Sequence, residues 1–103
     1  MKLGIIRCDS YSNNCPAAGC LRATRQLTGS FARYDDVELV GLDTCGRCDR
    51  GQADKVTERA QRLRKQGAEA VHLGNCMIGP CPHQDTFHQA IEKQGIKVIK
   101  GTH

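Results

Sequence analysis

The sequence predicts a small three-layer α/β fold in which a four-stranded parallel sheet is covered on both faces by three helices. Two observations lead there. Short apolar runs alternate with longer segments whose apolar residues recur every three or four positions, giving the order β-α-β-α-β-α-β. Glycine, proline, asparagine and serine punctuate the joins between them. Right-handed crossovers then favour strand order 2-1-3-4, with the first strand central and the switch point between the first and third.

The elements follow in order. Leu3 to Arg7 reads as the first strand, ending at Cys8, and the polar stretch Asp9 to Asn14 as a turn. Cys15-Pro16 is expected to open the first helix, because proline suits the first helical position. Ala17, Leu21 and Thr24 or Leu27 can face a core from it, and Gly29 marks its end. Phe31 to Asp36 connects to a second strand, Val37 to Leu42. The second helix is the best patterned, with Ala53, Val56, Ala60 and Leu63 at three- and four-residue steps and Gly67 as its stop. Ala70 to Leu73 makes a third strand ending near Cys76. The turn Cys76 to His83 leads to a third helix carrying Phe87, Ala90 and Ile91 on one face, with Gly95 at its end. Ile96 to Ile99 is the last strand, closing on Gly101-Thr102-His103. The arrangement is that of flavodoxin-like and Rossmann-like sheets, where function gathers at the carboxyl ends of the strands.

At 103 residues the chain is expected to form a single domain over 1–103, burying roughly 60–65% of its unfolded surface. It has no Trp and two each of Phe and Tyr. The core must come from Ile, Val, Leu and Ala, and a metal or disulfide staple would help so thin a core. Seven cysteines approach the density of a secreted disulfide scaffold, yet the first residues carry no signal-peptide hydrophobic region and no apolar run is long enough to span a membrane. A cytoplasmic chain is expected, in which clustered cysteines bind metal or perform redox work. An odd number of thiols also speaks against complete disulfide pairing. The net charge of +4 is modest, and acidic and basic residues alternate in Asp54-Lys55-Val56-Thr57-Glu58-Arg59. That is a solvated face, and no nucleic-acid partner is expected.

The cysteines carry the functional information. Cys8 follows the first strand, Cys45 and Cys48 the second, and Cys76 and Cys81 the third, while His103 follows the fourth. Strands lie about 4.8 Å apart, so the three strand ends span only ~10 Å and their thiols could converge. Cys15 and Cys20 fall at the same edge, at the start of the first helix. Cys45-Gly46-Arg47-Cys48 offers two thiols from one loop, and Gly46 permits the tight turn between them. Cys15-Pro16 and Cys81-Pro82 each place a cysteine at an expected N-cap, where the helix dipole favours thiolate. His83 adds an imidazole within two residues of Cys81, making a mixed sulfur and nitrogen ligand set. His72, within a strand, reads as structural and His88 as a surface residue. Arg7, Arg22, Arg47 and Arg50 attend the same loops, where guanidinium groups would offset the formal charge of about −2 left by four thiolates on Zn²⁺.

Other chemistries lack their motifs. A phosphatase-type or arsenate-reductase-type loop needs an arginine six residues beyond its cysteine, and Asn14 stands there. Neither a phosphate-binding P-loop nor G-x-G-x-x-G is present, and no sequence signal asks for a flavin. Two functional readings remain. In the first the chain is a metal-binding domain with Cys8, Cys45, Cys48, Cys76, Cys81 and His83 as preferred ligands and Cys15, Cys20 and His103 as a second tier. Zinc is the favoured metal, with an iron–sulfur cluster as the alternative. In the second, Cys45 and Cys48 form the redox pair of a thiol–disulfide or persulfide-handling enzyme. A purely structural metal in an interaction module is a third, simpler variant of the first.

Taken together, Gly4-Ile5-Ile6-Arg7-Cys8, Cys15-Pro16 with Cys20, Cys45-Gly46-Arg47-Cys48, Cys76 with Cys81-Pro82-His83, and Gly101-Thr102-His103 resemble the CGGC domain family over essentially the whole chain. The resemblance implies a small prokaryotic protein rich in Cys and His, with metal, usually suggested to be zinc, held by those residues; it implies no particular reaction. The family's second central glycine is Arg47 here, so that loop must differ locally.

Overall fold

The computed structural model describes residues 1–46, 53–78 and 81–103. Its strands are β1 (Lys2–Arg7), β2 (Glu38–Thr44), β3 (Ala70–Leu73) and β4 (Lys97–Lys100), and its helices α1 (Ala18–Gln26), α2 (Asp54–Lys65), α3 (Asn75–Ile78) and α4 (Gln84–Lys93). All strand pairings are parallel and the order is β2-β1-β3-β4, as the alternation predicts. The expected three helices are present as α1, α2 and α4; α3 is an added single turn just after β3. Two short 3-10 turns, Tyr11–Asn13 and Gly29–Arg33, lie in the connections.

The three layers follow from strand parity. Side chains along a strand point alternately to opposite faces, and β1 sends Leu3 and Ile5 to one core and Ile6 to the other. The first core packs under α1 with Ala17, Ala23 and Phe31. The second packs under α2 and α4 with Val56, Ala60, Leu63, Phe87 and Ile91. Gly4 and Gly41, paired across β1 and β2, form a notch for Leu63; a Cβ on either would come within 2.8 Å or 2.6 Å of the leucine methyls.

One irregularity positions the site. Leu3 pairs with Leu39 but Gly4 pairs with Gly41, so Val40 is an extra residue in β2. Beyond this bulge the register runs regularly to Arg7 opposite Thr44, and Cys45 N–H bonds the Arg7 carbonyl at 2.9 Å. Cys45 therefore stands level with Cys8.

The helix starts correct one expectation. Neither Cys15 nor Cys81 is an N-cap: Ala17 caps α1 with a left-handed φ of 63°, and His83 caps α4. Residues before proline are pushed out of the helical region, and Arg7 Nη1 donates to the Cys15 carbonyl, holding that segment as a lead-in. The end of α1 also differs, since Leu27 at φ 55° caps it and Gly29 opens the following 3-10 turn. Gly67 and Gly95 do sit just beyond α2 and α4, with φ of 104° and 78°.

Candidate metal centre

The turn after β1 is the hub of the carboxyl edge. Its backbone N–H groups reach sulfurs on both neighbouring strand-end loops: Cys8 N–H donates to Cys76 Sγ at 3.2 Å and Asp9 N–H to Cys45 Sγ at 3.5 Å. Thr44 Oγ1 donates to Asp9 Oδ1 at 2.9 Å, and Gly46 N–H donates to Thr44 Oγ1 at 3.3 Å. Gly46 has φ 75°, and a Cβ there would press on Lys55 of α2. The left-handed conformation that this tight turn calls for is thus supplied by glycine. Arg59 Nη1 donates to Asp43 Oδ1 at 2.7 Å, joining α2 to the end of β2.

Cys8, Cys45 and Cys81 are buried and pack in the core under α2 and α4, while Cys76, half-buried, packs against it. Burial pushes the Cys76 thiol up, and the nearby Cys8 and Cys20 thiols act in the same direction, against the Cys8 N–H bond that favours thiolate. Among the described residues no three Cys, His, Asp or Glu side chains stand together closely enough to hold one ion. Cys48, Arg47 and Arg50 lie outside the described residues. The donor set nevertheless suits a soft or borderline metal: three loops supply thiols to one edge, and backbone amides already point at two of the sulfurs.

The remaining candidates separate. Cys15 is exposed, and the bonds it makes are through its backbone, its N–H donating to the Tyr11 carbonyl at 2.8 Å and its carbonyl accepting from Arg7. His83 is half-buried and lies against Phe87, ring centroids 5.9 Å apart. Cys20 instead meets the chain end, with its Sγ donating to Thr102 Oγ1 at 3.3 Å and standing 3.6 Å from His103 Nδ1. His72 is fully buried in β3, its Nδ1 donating to the Gly101 carbonyl at 2.9 Å and its Nε2 accepting from Tyr34 Oη at 2.8 Å. His88 is partly buried and paired with Glu92 one turn on. Sequence reasoning passed over Asp9, Thr44, Asn75 and Thr102, which fasten these loops to one another. Their signal is a short polar residue at a strand end or within two residues of it.

No helix among the described residues is long and apolar enough to cross a membrane. Two uncharacterized proteins of the archaeon Methanocaldococcus jannaschii are similar in sequence. One is 34% identical over 114 aligned positions, covering 100% of this chain and 87% of the relative. The other is 35% identical over 63 positions, covering 58% of this chain and 92% of the relative. No solved structure matches. A CGGC domain is matched over residues 2–103. With that match spanning the first strand to the last residue, and the cysteine-bearing loops gathered on one edge of its sheet, the chain belongs to the CGGC domain family.

Proposed function

We propose that this chain is a metal-binding domain, acting as one unit over residues 1–103, with zinc as its metal. The ligands are drawn from Cys8, Cys45, Cys48, Cys76 and Cys81, with His83 as a nitrogen donor; Cys15, Cys20 and His103 fall outside the set. The observation that supports this reading best is the pair of N–H···S bonds, from Cys8 to Cys76 and from Asp9 to Cys45. They tie sulfurs of two loops to the turn that carries a third thiol. Amide donors of this kind stabilise sulfur in its anionic, metal-binding form and orient it. Burial of Cys8, Cys45 and Cys81 beside apolar side chains gives the low-dielectric surroundings in which a bound cation offsets thiolate charge.

The test is elemental analysis with an ultraviolet–visible spectrum on untagged protein purified without oxygen. Near-stoichiometric zinc without visible absorption is expected, and Cys45→Ser and Cys48→Ser should each lower the bound metal per chain. Iron with acid-labile sulfide and a broad visible band would replace zinc by a cluster. Unchanged stoichiometry in both variants would remove the Cys45 turn from the site. Metal-free protein in which Cys45 and Cys48 cycle with dithiol reductants would overturn the proposal in favour of a redox pair.

A further inference from the structure

The described thiols divide between the two faces of the sheet. Cys8, Cys45 and Cys81 belong to the core under α2 and α4, whereas Cys20 is buried in the α1 core with Ala17, Ala23 and Phe31. Its polar partners come from the far end of the chain, Thr102 and His103. Thr102 Oγ1 lies 3.3 Å from both Cys20 Sγ and His103 Nδ1, so the three form a continuous chain of hydrogen-bonding groups.

The terminal residues are held firmly in place. Asn75 Oδ1 accepts from Thr102 N–H at 3.0 Å, Asn75 N–H donates to Thr102 Oγ1 at 3.3 Å, and Asn75 Nδ2 donates to the His103 carbonyl. Ser30 N–H donates to the Thr102 carbonyl at 2.8 Å. Gly19 makes room for the imidazole: a Cβ there would stand 3.1 to 3.3 Å from ring atoms of His103. Cys20 is 5% exposed and His103 is exposed, so the imidazole is the outer member of the pair.

We propose that Cys20 and His103 form a nucleophilic thiol–imidazole pair that exchanges with low-molecular-weight disulfides, separate from the metal thiols. His103 Nδ1 takes the Cys20 proton, directly or through the Thr102 hydroxyl. The thiolate attacks one sulfur of RSSR, and a Cys20–S–SR bond forms as the RS–SR bond breaks. The departing RS⁻ receives the proton from His103, so one disulfide and one thiol are consumed and one of each is formed. Sulfur is the favoured electrophile over an acyl carbon. The backbone N–H groups of Asn75, Ser30 and Thr102 around the pair are already engaged, so none of these three is left to receive an oxyanion. A leaving thiolate needs only the one proton.

The test is incubation of the full chain with glutathione disulfide at fixed pH, followed by mass mapping of every cysteine with time. Cys20 should form the mixed disulfide before the other six cysteines. His103→Gln should slow it by roughly 10- to 100-fold, the scale of a lost general base, while bound metal per chain stays unchanged. First modification at another cysteine, or a Gln variant as fast as wild type, would overturn the proposal. A faster reaction in His103→Ala would also sink it, because the ring would then be a cover over the thiol and not its base. Loss of metal in the Cys45 and Cys48 variants bears on the metal reading alone, so the two proposals fail separately.

Discussion

Replacing Tyr34 by Phe should destabilise the protein by the loss of a single hydrogen bond. His72 is fully buried, and its Nε2 accepts from Tyr34 Oη at 2.8 Å while Nδ1 is committed to the Gly101 carbonyl. Burial pushes the Tyr34 hydroxyl up, against the pull of Arg33, so it remains a donor at neutral pH. Phenylalanine keeps the aromatic ring beside Phe31 and His72 and removes only the hydroxyl, leaving a buried acceptor unpaired at a cost of about 1–2 kcal/mol. A domain of this size answers with roughly 4–8 °C per kcal/mol, so Tm should fall by about 5–15 °C. Urea unfolding of Tyr34→Phe, His72→Phe and the double variant completes the cycle. In the His72→Phe background the hydroxyl has no partner, and Tyr34→Phe should cost almost nothing. A cost below about 0.3 kcal/mol in the wild-type background, or an equal cost in both, would show that the bond carries no stability.

Two further outcomes can be checked with the same equipment. Leu63→Ala should cost about 2–5 kcal/mol, because Leu63 fills the notch of Gly4 and Gly41; a urea midpoint close to wild type would mean that the notch closes on its own. Acid should also weaken the fold through His72. Burial holds its imidazole below the ordinary value of 6.5, with the Gly101 bond opposing and Arg33 assisting. The unfolded state then binds the proton first, so stability is full above about pH 6.5 and falls as pH drops below it. The loss between pH 7 and pH 5 should be smaller in His72→Asn than in wild type, and an equal loss would assign the acid sensitivity to other groups.

The fold was legible because parallel sheets write themselves in alternating periods. β3 was read with its observed bounds, and the other strands fell within about two residues, their ends being set by pairing partners that no local window contains. The helix starts misled for a related reason. Cys15-Pro16 and Cys81-Pro82 carry the local chemistry of a helix start, yet a contact from Arg7 in β1 postpones α1 to Ala18. The common edge was legible too, since topology alone sends every strand-end loop there. Which thiol meets which group was not. Cys20 finds Thr102 and His103 across 82 and 83 positions, and strand order cannot reveal the face on which a loop residue lands.

The extra residue in β2 makes parity a chemical variable. Were Leu3 to Arg7 paired with Leu39 to Asp43 without the bulge, Cys8 would sit opposite Thr44. Cys45 would then lie about 3.3 Å farther along and face the α1 layer. By absorbing Val40, the strand resets odd to even and returns Cys45 to the layer of Cys8 and Cys81. A length change of one residue between Gly41 and Thr44 would therefore act on the thiol edge as a substitution of Cys45 does, although it alters no cysteine. Deleting Val40 itself would only straighten the strand. For this edge, the count of residues between two positions matters as much as what those residues are.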